Sequence, residues 1–581
     1  MASLSPYTGT WDTQTAAHLQ RRASYRSTKA NIDHLASLSM EDAVDFLFTS
    51  ATNVFDYDPQ DEDGYKIFTN EDDFLATRWT LDSEKRPVFL NWLLGKMYHD
   101  NTAQEKLSFF LHTFFTNQID ATSSISSYHQ SALFRQFAFD VDSSTSTGED
   151  FNFKTLVKKM CTDEAMVLYL DTTKNIKGNL NENFCRELLE LFSIGKGESY
   201  STEGMTNETD GENIDYFFFK EEDIETGARI FTGLTTLGTE AEAVIDPDDD
   251  TTSYITRSQH FLEAYQDSMT GLPKAKLHGN TARHDNDPKT FSNRLGSTTI
   301  TPTTTTATLE SIEEEIDLFV EAIFNTTEEA SKYICRKLYR FYINREITSN
   351  GVDDIEESII VPLAQVFRDS GYKLQETVKT LLKSEHFYES QGNLIKTPLD
   401  YVLGSLNIFE YQFPAYDTEN EDYVSLTAGI RGWMKNKMDF EFYQPFEVAG
   451  YAPFHQAPLF DRNWISANTL ANRYSYIQAL LSGYADSLSY VENNFPDMGT
   501  TPEATLKEII SYWFPYAEED VSIQADRLDY FYTDVFRIEA DALAANYWED
   551  NWGVLGKEDD LRDILEVAFN SILQTPEFLL M

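Results

Sequence analysis

Between residues 181 and 197 the chain reads NENFCRELLELFSIGKG, and four side chains in that stretch could do chemistry: Glu182, Arg186, Glu187 and Glu190. On a helix, Asn183, Arg186, Glu187 and Glu190 fall on one face, at i, i+3, i+4 and i+7. Phe184, Cys185, Leu188, Leu189, Leu191 and Phe192 form the opposite, apolar face. If the polar face meets water, Glu182–Arg186 and Arg186–Glu190 are ordinary i,i+4 pairs worth about 0.2–0.5 kcal/mol each. If other helices cover it, Arg186 holds Glu187 and Glu190 as a fixed charged cluster suited to a metal or a substrate. Asn181 can cap the start of this helix, and Gly195 or Gly197 can end it. Spacing alone leaves both readings open.

A second group sits in RHDNDPKTF, where His284, Asp285, Asp287 and Lys289 crowd a short loop. Such a set could bind a metal, move protons or clamp an anion. Asp-Asn-Asp-Pro is equally ordinary turn chemistry. His112 stands alone in the aromatic FFLHTFF, where a core histidine is the plainer reading. In AAHLQRRASYR, His18, Arg21, Arg22 and Arg26 make a basic cluster that is rare in this chain. It suits either an internal partner for carboxylates or a solvated basic face.

The elements that must position these groups are mostly helical. NIDHLASLSMEDAVDFLF (31–48) repeats Ile32, Leu35, Leu38, Ala43, Val44 and Leu47 at three-to-four spacing. RPVFLNWLLGKMYHD, TAQEKLSFFLHTFF, SIEEEIDLFVEAIF, ASKYICRKLYRFYI, ESIIVPLAQVFRDS, KLQETVKTLLKSEHFY and LRDILEVAFNSILQ follow the same period. Alternating strand patterns are scarce. Residues 198–214 are polar and glycine-punctuated, as in a surface loop. Residues 236–308 carry the acidic run DPDDD and the threonine tract TTITPTTTTAT, with short strands expected between them. The expected fold is therefore mainly α, a large multi-helix single unit with a small irregular or β insertion. Its parts are an N-terminal helical part (1–235), the insertion (236–308) and a C-terminal helical part (309–581) packed on the first.

Composition excludes several functions. Against 46 basic residues stand 96 acidic ones, a formal net charge of −50. A surface this negative repels nucleic acid and anionic membranes, and is fitted to salty surroundings or to Ca²⁺, basic proteins and cationic substrates. The three cysteines, Cys161, Cys185 and Cys335, include no CxxC pair, so neither a zinc knuckle nor a disulfide framework is expected. No run approaches the ~20 apolar residues of a membrane span. MASLSPYTGTW lacks the basic and apolar regions of a conventional signal peptide. The default location is thus the cytoplasm, with export alongside a signal-bearing partner as the other route. Phosphate-loop, dinucleotide, serine-hydrolase and HExxH motifs are missing, and DPQDEDGYKIFTNE fails as an EF-hand because Pro59 and Asn70 stand at ligand positions. No cofactor is evident beyond a divalent cation, Ca²⁺ or Mg²⁺.

Taken in order, HLQRRASY, EKLSFFLHTFF, NENFCRELLELFSIGKG, KEEDIETGARIFTGL, HDNDPKTF, YICRKLYRFYI, VAGYAPF…NWISANTLANR and QTPEFLLM resemble the bacterial family catalogued as domain of unknown function 1800. The strongest match is 181–234, and the motifs run from residue 18 to the C-terminus. The resemblance implies one large, mainly helical unit without an established reaction, often exported. It also implies a sulfatase-like or alkaline-phosphatase-like partner protein. Glu182, Arg186, Glu187 and Glu190 match the family's charged helix, and His284, Asp285 and Lys289 its His-Asp…Lys motif. His112 matches the first histidine of a Trp-His-x-His element, whose tryptophan and second histidine are Leu111 and Phe114 here. Leu234, Tyr451 and Arg26 also depart from the family pattern. The resulting expectation is a non-catalytic binding or assembly protein acting with a partner, at the cell envelope. The alternative is a carboxylate-dependent hydrolase using Glu187 and Glu190 with Arg186 and His284, the remaining motif residues Glu182, Asp285, Lys289, His112, Arg21 and Arg22 serving binding.

Overall fold

Helices form where apolar residues recur, and they stop where a side chain offers the backbone a better partner. In the computed structural model the 31–48 stretch is two helices, Lys29–Ala36 and Met40–Leu47, rather than one. Ser39 separates them: its hydroxyl accepts from the Asp42 N–H at 3.1 Å and so starts a new helix. Ser384 divides 374–389 in the same way, into Leu374–Leu382 and Glu385–Glu389. The Pro in ESIIVPLAQVFRDS does not break its helix. It falls at the start of Val361–Asp369, after a wider π turn over Glu356–Ile360 that needs no N–H from Pro362.

The structure describes residues 3–49, 82–122, 124–139, 151–197, 215–216, 218–236, 239–245, 252–258, 265–266, 273–274, 278–348, 354–414, 420–514 and 527–581. The expected loop at 198–214, the acidic run at 246–250 and the failed EF-hand stretch lie outside them.

Within the insertion, Thr239–Ile245 pairs antiparallel with Thr252–Ser258, in register from Thr239 opposite Ser258 to Ile245 opposite Thr252. Leu234–Thr235 pairs with His278–Gly279 and closes the neck of this excursion. Lys289–Thr290 pairs with Thr299–Ile300. Each of these sheets has two strands, so helices carry the architecture.

Buried apolar residues form one continuous cluster from Ala16 to Leu579. Full burial of each Leu or Phe is worth about 1.5–3 kcal/mol. The helix Thr13–Ala23 lies against Pro502–Trp513, so sequence-distant parts share the core. Residues near 580 pair with the 394–396 segment: Lys396 N–H donates to the Leu579 carbonyl at 2.8 Å, and Met581 N–H to that of Leu394 at 3.0 Å. Cys161, Cys185 and Cys335 are all buried and free. Among the described residues no helix is long and apolar enough to cross a membrane.

Candidate functional site

The charged helix spans Asn183–Glu190. Asn181 assists its start, accepting from the Asn183 N–H at 3.0 Å, and Gly195, at φ 72°, closes its C-terminal turn on the Leu189 carbonyl at 2.9 Å. Phe184, Cys185, Leu188 and Leu189 are buried, so the apolar face packs as its spacing requires.

The partner of this helix is Glu221–Ile230, with Glu221, Glu222 and Asp223 in its first turn. A glycine sits inside this second helix, at a cost of roughly 0.5–1 kcal/mol relative to alanine. Its use is close approach: a Cβ on Gly227 would stand 2.3 Å from Cys185 Sγ and 2.9 Å from the Phe319 ring. Contact this tight brings Glu221 beside Arg186.

Arg186 bonds both oxygens of Glu221, with Nη1 to Oε2 at 3.2 Å, and reaches Glu182 Oε2 at 3.0 Å and Glu190 Oε1 at 3.8 Å. The side chain remains 28% exposed. Neither reading of the spacing therefore describes it alone: the face is half-covered, and one carboxylate comes from another helix. Lys196 takes the other oxygen of Glu190 at 2.6 Å. Glu187 makes no ion pair among the described residues. Burial, then the neighbouring Glu190, pushes its carboxyl up to about 7. Tyr169 lies near enough to feel that charge, and its phenol is raised to about 12, mainly by burial.

The second cluster lies at the other end of Glu221–Ile230. Arg229 Nε donates to Asp285 Oδ2 at 2.7 Å, and Lys177 Nζ stands 3.3 Å from Asp285 Oδ1. Partial burial would raise the Asp285 carboxyl, but the Arg229 hydrogen bond, the Asp287 N–H and Lys177 hold it well below the usual carboxylate range. The Thr232–Gly233 turn cradles the loop. Thr232 Oγ accepts from the Asp285 N–H at 2.8 Å, and the Thr232 carbonyl lies 2.9 Å from His284 Nδ1. That carbonyl can only accept, so Nδ1 carries the proton. Gly233, at φ 82°, lets the chain pass so close that a Cβ would stand 2.8 Å from the Asn280 carbonyl oxygen.

On its far side the loop meets the helix Leu309–Thr326. Glu315, 1% exposed, bonds Lys289 through Oε2 and faces His284 Nε2 at 3.4 Å through Oε1. Lys289 is fully buried, and burial outweighs Glu315 in lowering its pKa. Asp223 adds a further clamp, accepting from Ser292 N–H at 2.7 Å and Ser292 Oγ at 2.6 Å. His284, Asp285 and Lys289 thus come together as the sequence suggested, but around Glu315, Arg229 and Thr232.

Those three were missed by sequence reasoning. Glu315 had a signal: it sits on the apolar stripe Ile312, Glu315, Ile316, Phe319, where a solvated glutamate does not belong. Arg229 and Thr232 had none beyond their place in GARIFTG.

Glu187 and Glu190 do not meet His284. Glu221 is the first residue of the shared helix and Arg229 the ninth, so the two clusters are separated by about 12 Å along its axis. Among the described residues no group of three or more His, Cys, Asp and Glu could hold a metal ion. Around Arg186 the guanidinium supplies the positive charge that a divalent ion would bring.

His112 lies apart from both. It stacks on Tyr443, with centroids 3.8 Å apart, and its ring nitrogens have no hydrogen-bond partner among the described residues. Burial drives it down to about 3, so it is neutral. Phe114, at the place of the family's second histidine, packs on Phe110 and Phe115. Arg21 and Arg22 are buried, and among the described residues neither pairs directly with a carboxylate. Arg21 donates to the Tyr512 and Phe514 carbonyls at 2.6 and 3.2 Å, and Arg22 to that of Ser390 at 3.2 Å.

A mainly helical protein with short two-stranded sheets, whose 284–289 loop is clamped to neighbouring helices by charged side chains, is what the fold and site define. The chain belongs to the family described as protein of unknown function DUF1800, whose sequence model matches residues 18–580. No curated protein and no solved structure matches it.

Proposed function

We propose that this chain is a non-catalytic binding or assembly protein that acts with a partner at the cell envelope. The observation that carries the reading is where the motif charges go. Arg186 and Glu221 tie two helices together, while Arg229–Asp285 and Lys289–Glu315 fasten the insertion to the body. Charges used in this way build a rigid scaffold rather than a reactive centre. A docking surface fits the C-terminal helices, where Tyr530, Ile538, Leu543, Val554, Leu555 and Val567 are exposed in an otherwise highly charged chain. The partner in this reading is the sulfatase-like or alkaline-phosphatase-like protein that the family resemblance implies.

Size-exclusion chromatography of the purified chain with that protein, from the same genome, tests the proposal. Co-elution that is lost in the Ile538→Asp, Leu555→Asp double variant is the expected result. Separate elution at concentrations of tens of micromolar, where a specific complex of ordinary affinity forms, rejects it.

One observation favours a second reading, the carboxylate-dependent hydrolase. Glu187 makes no ion pair among the described residues and is held near 7, the range of a general base. Glu190 and Arg186 flank it, and a Ca²⁺ or Mg²⁺ ion on the two carboxylates would serve the same chemistry. His284, buried against Thr232 and Glu315 in the other cluster, takes no part in this version of the chemistry. Under this reading Glu187→Gln abolishes turnover of ester substrates without lowering Tm; equal activity in the variant disposes of it.

A further inference from the structure

Inside this chain of net charge −50, five cationic side chains converge on one region of the core: Arg21, Arg22, Lys106, Lys396 and Arg473. They come from the helix Thr13–Ala23, the helix Gln104–Phe114, the turn before Pro398–Ile408, and the helix Ala467–Gly483. Their exposures run from 0% to 8%. One carboxylate, Asp400, lies among them, and it is already engaged. It accepts from Lys106 Nζ at 2.7 Å and from Thr397 Oγ at 2.7 Å. Asp461, which also acts on Arg22, is 3.5 Å from Arg345.

The remaining cations are short of acceptors. Among the described residues, all three guanidinium nitrogens of Arg473 are buried without a hydrogen-bond partner, and so are Nε and Nη1 of Arg22. Arg473 lies over the Tyr401 ring at 4.9 Å, and Lys396 Nζ over the Phe578 ring at 3.7 Å, with no oxygen acceptor for that ammonium among the described residues. Arginine stays protonated in proteins, so this charge cannot be relieved by losing protons from the guanidinium groups. An uncompensated buried charge costs several kcal/mol even after relaxation. Burial, Arg21, Arg473 and Lys106 push the Lys396 ammonium well below its usual value, with Asp400 opposing them, so an added negative charge here would favour its protonated form.

Of the five, Arg21, whose Nε has no hydrogen-bond partner among the described residues, and Lys396 line a cavity that Asp400 also borders. About 20 Å³ of space opens beside Lys396, Arg21 and Asp400, with the Ser24 and Ser27 residues on its wall. A single water needs roughly 10–15 Å³. The space therefore holds an occupant of about water size, and a monatomic halide is the compact anion nearest to that size.

We propose that this interior cluster is an anion site, and that its occupant is a single halide-sized monovalent anion held against Lys396 and Arg21. The ion completes the charge balance of the junction between the N-terminal helix and the C-terminal half. It makes this acidic protein dependent on halide, beyond the general screening that any salt provides.

Thermal unfolding at fixed ionic strength, exchanging sodium gluconate for sodium bromide, tests the proposal. Tm should rise with the logarithm of bromide concentration once the site is half filled. Lys396→Met should lose that rise. Bromide-soaked crystals of the unaltered protein give an independent readout should the variant not fold: an anomalous peak is expected in contact with Lys396. Equal Tm in bromide and gluconate, together with no anomalous density beside Lys396, overturns the proposal, because the cluster is then neutralised within the chain. A response to phosphate but not to bromide also overturns it.

Discussion

Arg186 and the Arg21–Arg22 pair are opposite solutions to placing arginine in an acidic protein. Arg186 has carboxylate partners and keeps 28% of its side chain in contact with solvent. Arg21 and Arg22 are 8% and 1% exposed and donate to carbonyl oxygens. The motif with the matching acids is the one left half in water, and the motif without them is the one in the core. Partnership in sequence does not predict burial. A charged helix with its acids at i±4 satisfies itself locally and has no need of the interior. The arginines of the first helix have no acid within a turn, and their long stems carry them into the apolar junction with Pro502–Trp513.

The sharpest way to break the contrast is to remove Asp400. Asp400→Asn leaves Lys106 buried without a charged partner and should cost about 3–5 kcal/mol. Chemical denaturation would read it as a lower midpoint with an unchanged slope. Next in size is the helix contact that creates the half-exposed cluster. Gly227→Ala forces a methyl against Cys185 Sγ and should cost roughly 1–3 kcal/mol. Adding Cys185→Ala should return part of that loss, since it removes the clashing atom.

A smaller effect is expected from Glu187. Its folded-state carboxyl is raised from 4.5 to about 7, so the native state holds the proton more tightly than the unfolded chain does. The associated stability is fully present below the unfolded value and is lost as pH rises through the folded one. Glu187→Gln should therefore raise stability by roughly 1–2 kcal/mol at pH 8, allowing for solvent screening, and leave it unchanged at pH 4. Melting curves at the two pH values check both the sign and the window. The smallest effect belongs to the exposed pair itself. Glu221→Gln should cost no more than about 1 kcal/mol, and that cost should shrink in 1 M salt. A loss as large as that of Asp400→Asn would erase the distinction between the two regions.

Much of this site was legible as residue types, and little of it as contacts. The His-Asp…Lys loop could be picked out because His284, Asp285 and Lys289 lie within six residues. That the loop would close on Glu315 required two segments 26 residues apart along the chain to dock, which no local pattern records. His112 shows the opposite case. Its aromatic neighbours in sequence already pointed to the core, and Tyr443, which covers its ring, comes from a remote segment.

By itself, the sequence determined the helical character and the apolar faces, that of the charged helix with Cys185 among them. These depend on period and composition, which are properties of neighbouring residues. Serine caps at 39 and 384 were also written there, though the periodicity alone ran past them. Only the tertiary structure decided which charges face water, that Gly227 sets the distance between Arg186 and Glu221, and that five cations gather around one aspartate. Those outcomes depend on which faces meet, and helix faces meet through long-range packing that a linear pattern does not encode.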